Sequence, residues 1–569
     1  MSRQQNKSMQ TGAWRLNLVR SGFILIAIGL GWRLIDLQVL NPDFLRYQGD
    51  ARHLRQVPVV AHRGMLLDRH GEPLAISTPV HSVWLNPQVV AEDEPRLNEL
   101  ANVLAVSVDN LRSRIASNAR REFVYVRRHI TPELSEQVRA LNIRGVALQR
   151  EYKRYYPTGE VTAHLLGFTN IDDVGQEGLE LSYDALLTGV PGLRRMVRDS
   201  RGNFVGGGEL IRPAKAGENI QLSIDLRLQY LTYHALKSAV ERHNASSGSA
   251  VIIDVRNGEV LAMVNQPSFN PNNRAGLSSA DFRNRAVIDL FEPGSTVKPF
   301  TVVSGLRSGL FDEKSIINTH PGVFRVSGHN IRDFRDYGMI DLATLLQKSS
   351  NIAASKIALE VEPRQLWQDF ANFGFAQESG AYFPGEAMGS LPDPSVWRTL
   401  DRATLAYGYG MATSTLQLAR AYTVLGNDGI LMPVSFVKTS GKVRGKRVFS
   451  SDLMRQVRSM MKLSSQPGGT ATRAAVSNYT VASKTGTARK AAAGGGYHED
   501  RYQSLFAGII PADNPRLAMA IMIDDPKGGD YYGGLVAAPV FSEVMTGAMR
   551  LLNIAPDDLP DHHLKVAQQ

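Results

Sequence analysis

At 569 residues the chain is too long for one ordinary domain, and 43% hydrophobic with 21% charged residues is the composition of a folded protein with an ample core. The absence of cysteine excludes disulfides, thiolate metal sites and a cysteine nucleophile. The formal net charge of +10 suits either nucleic acid or an anionic membrane or cell-wall surface; no nucleic-acid motif or basic run interleaved with aromatics is found, so nucleic acid is set aside.

The chain opens on Arg3, Lys7, Arg15 and Arg20 with no acid among them, followed by a charge-free apolar stretch, residues 21–32. Extended to residues 16–40, this stretch reaches the ~20 residues that a membrane span needs. Arg20 and Arg33 lie near its ends, where arginine can snorkel, and Trp14 and Trp32 suit the interface. No small-residue cleavage site follows, because residues 33–40 are bulky. The expectation is an uncleaved single-pass anchor at 16–40, a cytoplasmic tail at 1–15, and everything beyond about residue 42 outside the inner membrane.

Residues 57–218 read as mixed α and β elements. Thr131-Pro132-Glu133 is a helix start with cap, first-turn proline and early acid, and residues 122–126 before it predict a strand. Residues 154–157 mark a turn out of an extended segment and receive no chemistry. Two glycine-punctuated runs stand out, one from Arg63 through Asp68, Arg69 and Gly71 to Ala75, the other from Gly175 through Glu180 to Gly192. By themselves they fit ordinary turns and ion pairs equally well.

From Gly217 onward the pattern changes. Residues 221–229 lead into an amphipathic helix ending near Asn244, and residues 249–264, folded about Asn257-Gly258, predict a β-hairpin. Near the other end, residues 504–510 and 517–523 predict strands and residues 540–552 a helix. Strands at both ends with helices between them predict one sheet interrupted by a helical insertion. The glycine run 491–496 reads as a mobile loop, and residues 556–569 as a flexible tail.

Chemistry concentrates in three places. Phe291-Glu-Pro-Gly-Ser295-Thr-Val-Lys298 reads as a loop entering a helix, which puts Ser295 and Lys298 on one face at i and i+3. A serine hydroxyl becomes a nucleophile when a neighbouring neutral amine takes its proton. Ser-x-x-Lys also occurs at Ser435 and Ser459, so alone it says little. Ser349-Ser350-Asn351 gives Ser-x-Asn, which recurs at Ser268-Phe269-Asn270, whereas Lys484-Thr485-Gly486-Thr487 gives the single Lys-Thr-Gly. The three together, in this order, are far more specific.

With that triplet the chain resembles a class B penicillin-binding protein, a D,D-transpeptidase of peptidoglycan synthesis, and within the class the division-specific FtsI type. The resemblance spans nearly the whole chain: the short N-terminus and anchor, the Arg63 and Gly175 runs, the triplet, and Ala406-Tyr407-Gly408-Tyr409-Gly410. Arg489 after Thr-Gly-Thr-Ala favours the division branch. The fold implied is mixed α/β: an N-terminal transmembrane helix, an α+β pedestal of the dimerisation type at 57–218, and a transpeptidase domain at 219–555. That domain would have a central antiparallel sheet flanked by helices and an all-helical subdomain. The roles implied are Ser295 as nucleophile, Lys298 as base, Ser349 as proton relay, and Asn351 as partner of Lys298 and the substrate amide. Lys484 would lie on an edge strand and hold Lys298 neutral. Thr485, Gly486 and Thr487 would bind substrate, while Arg489 joins them and Tyr407 and Tyr409 form either pocket wall or core. Implied partners are stem peptides ending in D-Ala-D-Ala, β-lactams, the membrane, an FtsW-type glycan polymerase and other division proteins; no cofactor or metal is implied. A D,D-carboxypeptidase, a β-lactam hydrolase or sensor, and a non-catalytic division scaffold are the competing readings. Of the nearest acids, none lies in residues 300–310, and Asp312 and Glu313 cannot be placed from sequence, so the acyl-enzyme is expected to wait for an amine rather than water.

Overall fold

The computed structural model describes residues 10–40, 54–198, 204–492 and 494–559. It comprises two compact units, Met1–His62 with Gly189–Ala216, and Arg63–Thr188 with Gly217–Gln569. In the first, a helix over Gln10–Ile35 continues into a π-helical turn at Asp36–Leu40. Its Trp14–Leu40 stretch is long and apolar enough to cross a membrane, the one such helix among the described residues. Arg33 and Asp36, the two charges in its last turns, pair at 2.6 Å. The same unit holds a three-stranded antiparallel sheet in which Gly192–Arg198 lies between Leu54–Val59 and Phe204–Arg212. The predicted tail is described only as far as Leu559.

The second unit is built on the predicted sheet. Its five strands are β1 (Ser247–Asp254), β2 (Val260–Gln266), β3 (Ala482–Ala491), β4 (Tyr497–Ile510) and β5 (Leu517–Asp524), all antiparallel, in the order β2-β1-β5-β4-β3. Every residue of β1, β2 and β5 is buried, so these strands are covered on both faces. Alternation along β1 shows how. Ala250 and Ile252 enter one core with α1 (Leu226–Arg242) and the C-terminal helix Ala538–Leu551, while Val251 and Ile253 enter the other with the helix Thr415–Gly426. Asp225 caps α1 by accepting from the Arg227 N–H.

Within residues 63–188, the long strand Pro73–Leu85 pairs with Val146–Tyr155 and Val124–Ile130. The predicted helix forms over Pro132–Leu141, with the Thr131 hydroxyl accepting from Leu134 N–H. The strand before it begins two residues later than the 122–126 expected and runs on to Ile130. The two glycine-punctuated runs meet in one buried ionic cluster. Arg63 donates to Glu180 Oε2 at 2.9 Å, Asp184 Oδ1 at 2.7 Å, Thr188 Oγ1 at 2.9 Å and the carbonyls of Asp173 and Glu180. Arg154, the residue given no chemistry, donates to the other Glu180 oxygen at 2.6 Å and to the Gly64 carbonyl. The first run also reaches the sheet region: Arg69 donates to Glu259 at 3.3 Å, and Asp68 accepts from Leu226 N–H at 3.3 Å. Those ties explain why residues 63–188 pack with the sheet.

Candidate active site

The sequence reading starts a helix at Ser295. The structure instead has a 3₁₀ turn over Gly294–Val297 and starts the α-helix α2 (Lys298–Arg307) three residues later. Pro299 is the reason. It has no N–H to give the Ser295 carbonyl the i→i+4 bond of an α-helix, and that carbonyl accepts from Lys298 N–H instead. Because side chains three apart eclipse in a 3₁₀ turn, Ser295 and Lys298 still share a face. The turn is tightly walled. A Cβ on Gly408 would lie 2.2 Å from the Gly294 carbonyl oxygen, and one on Gly486 would lie 2.9 Å from Thr296 Cγ2 and 3.0 Å from the Pro293 oxygen. From beneath, Tyr422 OH donates to the Thr296 carbonyl at 2.8 Å. Ser295 is half-buried in a turn whose other residues are buried.

Lys298 is fully buried, with its ammonium nitrogen donating to Ser349 Oγ at 3.0 Å, to Asn351 Oδ1 at 2.7 Å and to the Ser349 carbonyl. Ser295 Oγ is not among these acceptors. Ser349 follows the helix Leu342–Lys348 in the left-handed region, φ +63°, a conformation that costs a non-glycine residue ~1–3 kcal/mol and recurs where function fixes the backbone. Ser350 then caps the helix Asn351–Glu360. Asp333, which the sequence reading passed over, fixes this corner: it accepts from Ser350 Oγ and Asn351 N–H, each at 2.5 Å, and from Ile352 N–H at 3.1 Å. Arg332 contributes its carbonyl to Asn351 Nδ2 at 3.0 Å.

Among the described residues, neither lysine has a carboxylate partner. Burial, then the charge of Lys484, pushes Lys298 well below the ordinary lysine range, while the Asp333 charge pulls the other way. Lys484 lies on β3, the terminal strand of the sheet, and its described hydrogen bond goes to the Thr485 carbonyl at 3.1 Å. Burial brings it down to about 7. Burial and the charge of Lys484 together favour the neutral form of Lys298.

The remaining predicted site residues divide. Thr485 Oγ1 donates to Thr470 Oγ1 at 3.0 Å, and Thr487 Oγ1 accepts from Gly533 N–H at 3.1 Å, which leaves the Thr487 proton free. Arg489 is exposed near the far end of β3, and Tyr407 and Tyr409 are half-buried, their rings edge-to-face at 5.6 Å. The other Ser-x-x-Lys pairs have plain roles: Lys438 donates to the Arg69 carbonyl, Lys462 pairs with Asp513, and Ser459 is exposed on the helix Ser451–Lys462. Asp312 is a turn residue, accepting from Lys314 N–H and the Ser315 hydroxyl. A second acid that the sequence reading missed is Glu292, three residues before Ser295, which accepts from Gly410 N–H at 2.9 Å.

This fold, with the three motifs gathered on one wall, is that of a serine acyl-transferring enzyme. A family model of the penicillin binding protein transpeptidase domain matches residues 248–546, and one of the penicillin-binding protein dimerisation domain matches residues 58–222. The chain is 43% identical over 555 residues to the peptidoglycan D,D-transpeptidase FtsI of Escherichia coli (strain K12), covering 96% of this chain and 93% of that one. It is 41% identical over 554 residues to the probable peptidoglycan D,D-transpeptidase PbpC of Pseudomonas aeruginosa, covering 97% and 98%. The transpeptidase domain of Burkholderia pseudomallei penicillin-binding protein 3 superposes with TM-score 0.55 and 41% identity over 60% of this chain and 98% of that one. A peptidoglycan synthetase from Bifidobacterium adolescentis, 24% identical, shares the fold at TM-score 0.71 over 89% of this chain and 98% of that one. The chain belongs to the penicillin-binding protein family, in its FtsI-type D,D-transpeptidase branch.

Proposed function

We propose that this chain is the septal D,D-transpeptidase of its cell, cross-linking peptidoglycan stem peptides through an acyl-enzyme on Ser295. The observation that carries the reading is the buried, carboxylate-free Lys298, held by Ser349 and Asn351 one 3₁₀ turn from Ser295. Neutral Lys298 takes the Ser295 proton as Oγ attacks the penultimate D-Ala carbonyl. The backbone N–H groups of Ser295 and Thr487 stabilise the oxyanion, each donor contributing about 3 kcal/mol. The peptide C–N bond breaks, and the departing D-alanine receives the Lys298 proton through Ser349. An amine of a neighbouring stem peptide then attacks the ester, forms the new amide and returns Ser295 to its hydroxyl. Lys484, Thr485 and Thr487 receive the substrate carboxylate, and Asn351 its amide. A carboxylate beside Lys484 keeps the proton there, which leaves Lys298 neutral.

The same reading anchors the chain in the inner membrane through residues 16–40, with 1–15 in the cytoplasm and the catalytic domain, residues 219–555, in the periplasm. Residues 57–218 hold none of the triplet and serve as a pedestal that, with the anchor, meets an FtsW-type glycan polymerase. β-Lactams acylate Ser295 and inhibit because hydrolysis of the adduct is slow.

Mass spectrometry after penicillin treatment tests the centre of this reading. The adduct should map to Ser295 and vanish in Ser295→Ala; label persisting at Ser435 or Ser459 overturns it. Turnover of a stem-peptide thioester with and without an amine acceptor separates transpeptidase from carboxypeptidase, and an adduct lost within seconds would make the protein a β-lactamase.

A further inference from the structure

The sheet within residues 63–188 has helices on one face only. On its long strand Pro73–Leu85, Val83 and Leu85 enter a core with Leu100, Ile115 and Val138, one from each of the helices Leu97–Val103, Val108–Ser117 and Pro132–Leu141. Trp84, between them, therefore faces the other way. Tyr125 and Ala147 lie directly across from it on the two flanking strands and share its face. Phe123 completes a row: its ring stacks on Trp84 at 4.8 Å and meets Tyr125 edge-on at 4.8 Å. An outward sheet face ordinarily carries polar residues. Here it carries three joined aromatic rings, with Phe123 39% exposed and Trp84 and Tyr125 partly buried.

The row is open to water. Gln149 lies two positions beyond Ala147 on the same face. Among the described residues, neither Trp84 Nε1 nor the Gln149 amide makes a side-chain hydrogen bond, and neither is sealed from solvent. Cations flank the row: exposed Arg120 and Arg121 precede Phe123, and exposed Lys153 follows Gln149 on the same face. A guest matching this surface has flat apolar faces, many hydrogen-bonding groups and negative charge. Pyranose rings stack their C–H faces on aromatic rings, their N-acetyl and hydroxyl groups match the indole N–H and the amide, and stem-peptide carboxylates match the cations. An apolar helix of a partner protein would leave the amide and the cations unmatched. We propose that this open face binds a glycan strand of peptidoglycan, at a place that holds none of the catalytic residues. The binding face rests on the transpeptidase reading above, in which peptidoglycan is the substrate, and it gives residues 57–218 a grip on the strand whose peptides are cross-linked.

The full chain in nanodiscs is first acylated with penicillin, which closes the Ser295 site to peptides. Labelled oligosaccharides of alternating N-acetylglucosamine and N-acetylmuramic acid, with and without peptide stems, are then titrated by fluorescence anisotropy. The parent should bind the stem-bearing strand saturably and the bare strand more weakly. Phe123→Ser and Trp84→Leu should each weaken both about tenfold or more, while their rate of penicillin acylation, which reports a folded chain, stays within about twofold of the parent. Gln149→Ala, which leaves the rings in place, should weaken binding about threefold or more. No saturable binding by the acylated parent, or unchanged binding in both aromatic variants, overturns the glycan site. Free stem peptide competing as well as the strand overturns it too, by placing recognition in the peptide. If the aromatic variants impair septation with glycan binding intact, the face belongs to a protein partner and the glycan site falls. A parent chain that forms no penicillin adduct refutes the transpeptidase reading instead.

Discussion

Two buried clusters of cations in one compact unit have opposite fates. Arg63 and Arg154 lie almost wholly out of water, and each meets a Glu180 oxygen within 2.9 Å. Burial pulls Arg63 down, but Glu180 and Asp184 more than offset it, so the guanidinium is more firmly charged than in water. Lys298 and Lys484 are just as buried, yet hydroxyl, amide and carbonyl oxygens take the place of carboxylates. Their charged forms lose hydration without a counter-ion to replace it. Pairing thus makes one cluster a permanent ionic joint, and the lack of pairing favours the neutral amine in the other. The residue types fit, since guanidinium is charged at every working pH whereas an ε-amine readily gives up its proton when buried.

Lys298→Arg should break the contrast most severely. A cation that cannot accept a proton should be as inactive as alanine, so penicillin acylation, followed by stopped flow, should fall about 10³-fold. If arginine kept substantial activity, Lys298 would not be the base. Glu180→Ala strikes the other cluster by leaving two buried arginines without their shared partner. A loss of about 3–5 kcal/mol is expected by denaturant unfolding, and it should be equal at pH 7 and pH 10, because the arginines stay charged throughout.

Lys484 should behave in the opposite way with pH. Its folded-state value of about 7 lies below that of an unfolded lysine, so between the two the unfolded chain binds more protons and stability rises with pH. Lys484→Met should therefore melt above the parent at pH 7, by the equivalent of a few kcal/mol, with the gap closing toward pH 10. A gap that did not narrow would mean Lys484 is buried charged. The smallest effect belongs to Asp333→Asn, which removes a negative charge that acts on Lys298. Acylation should slow about tenfold, and the acid limb of its pH profile should move to lower pH, because Lys298 then sheds its proton more readily. Slowing without that shift would leave Asp333 a purely structural clamp.

The sheet and its order of motifs could be read in the sequence because each depends on short-range signals. Short continuous apolar runs mark β1, β2, β4 and β5, and Asn257-Gly258 marks the turn between the first two. Ser295 and Lys298, or Ser349 and Asn351, are near neighbours in the chain, so their spacing carried the geometry. Asp333 and Glu292 were invisible for the converse reason. Asp333 reaches residues 17 to 19 positions ahead, and Tyr497 reaches back 205 positions to Glu292. Neither contact leaves a local pattern, and both acids sit in loops where a carboxylate ordinarily means solvent. The Arg63 and Gly175 runs were visible as runs, but their meaning lay in a contact between residues 117 positions apart.

Pro299 carries no functional group, yet it sets an angle. With three residues per turn the side chains of Ser295 and Lys298 differ by about 0° around the axis, and with 3.6 they would differ by about 60°. By withholding one N–H, the proline keeps the tighter winding and with it the alignment of hydroxyl and amine. A residue restoring that N–H would permit regular α-helix to extend back through Ser295. Ser295 and Lys298 would then be misaligned with both side chains still present, a lesion that a motif search would score as an intact triplet.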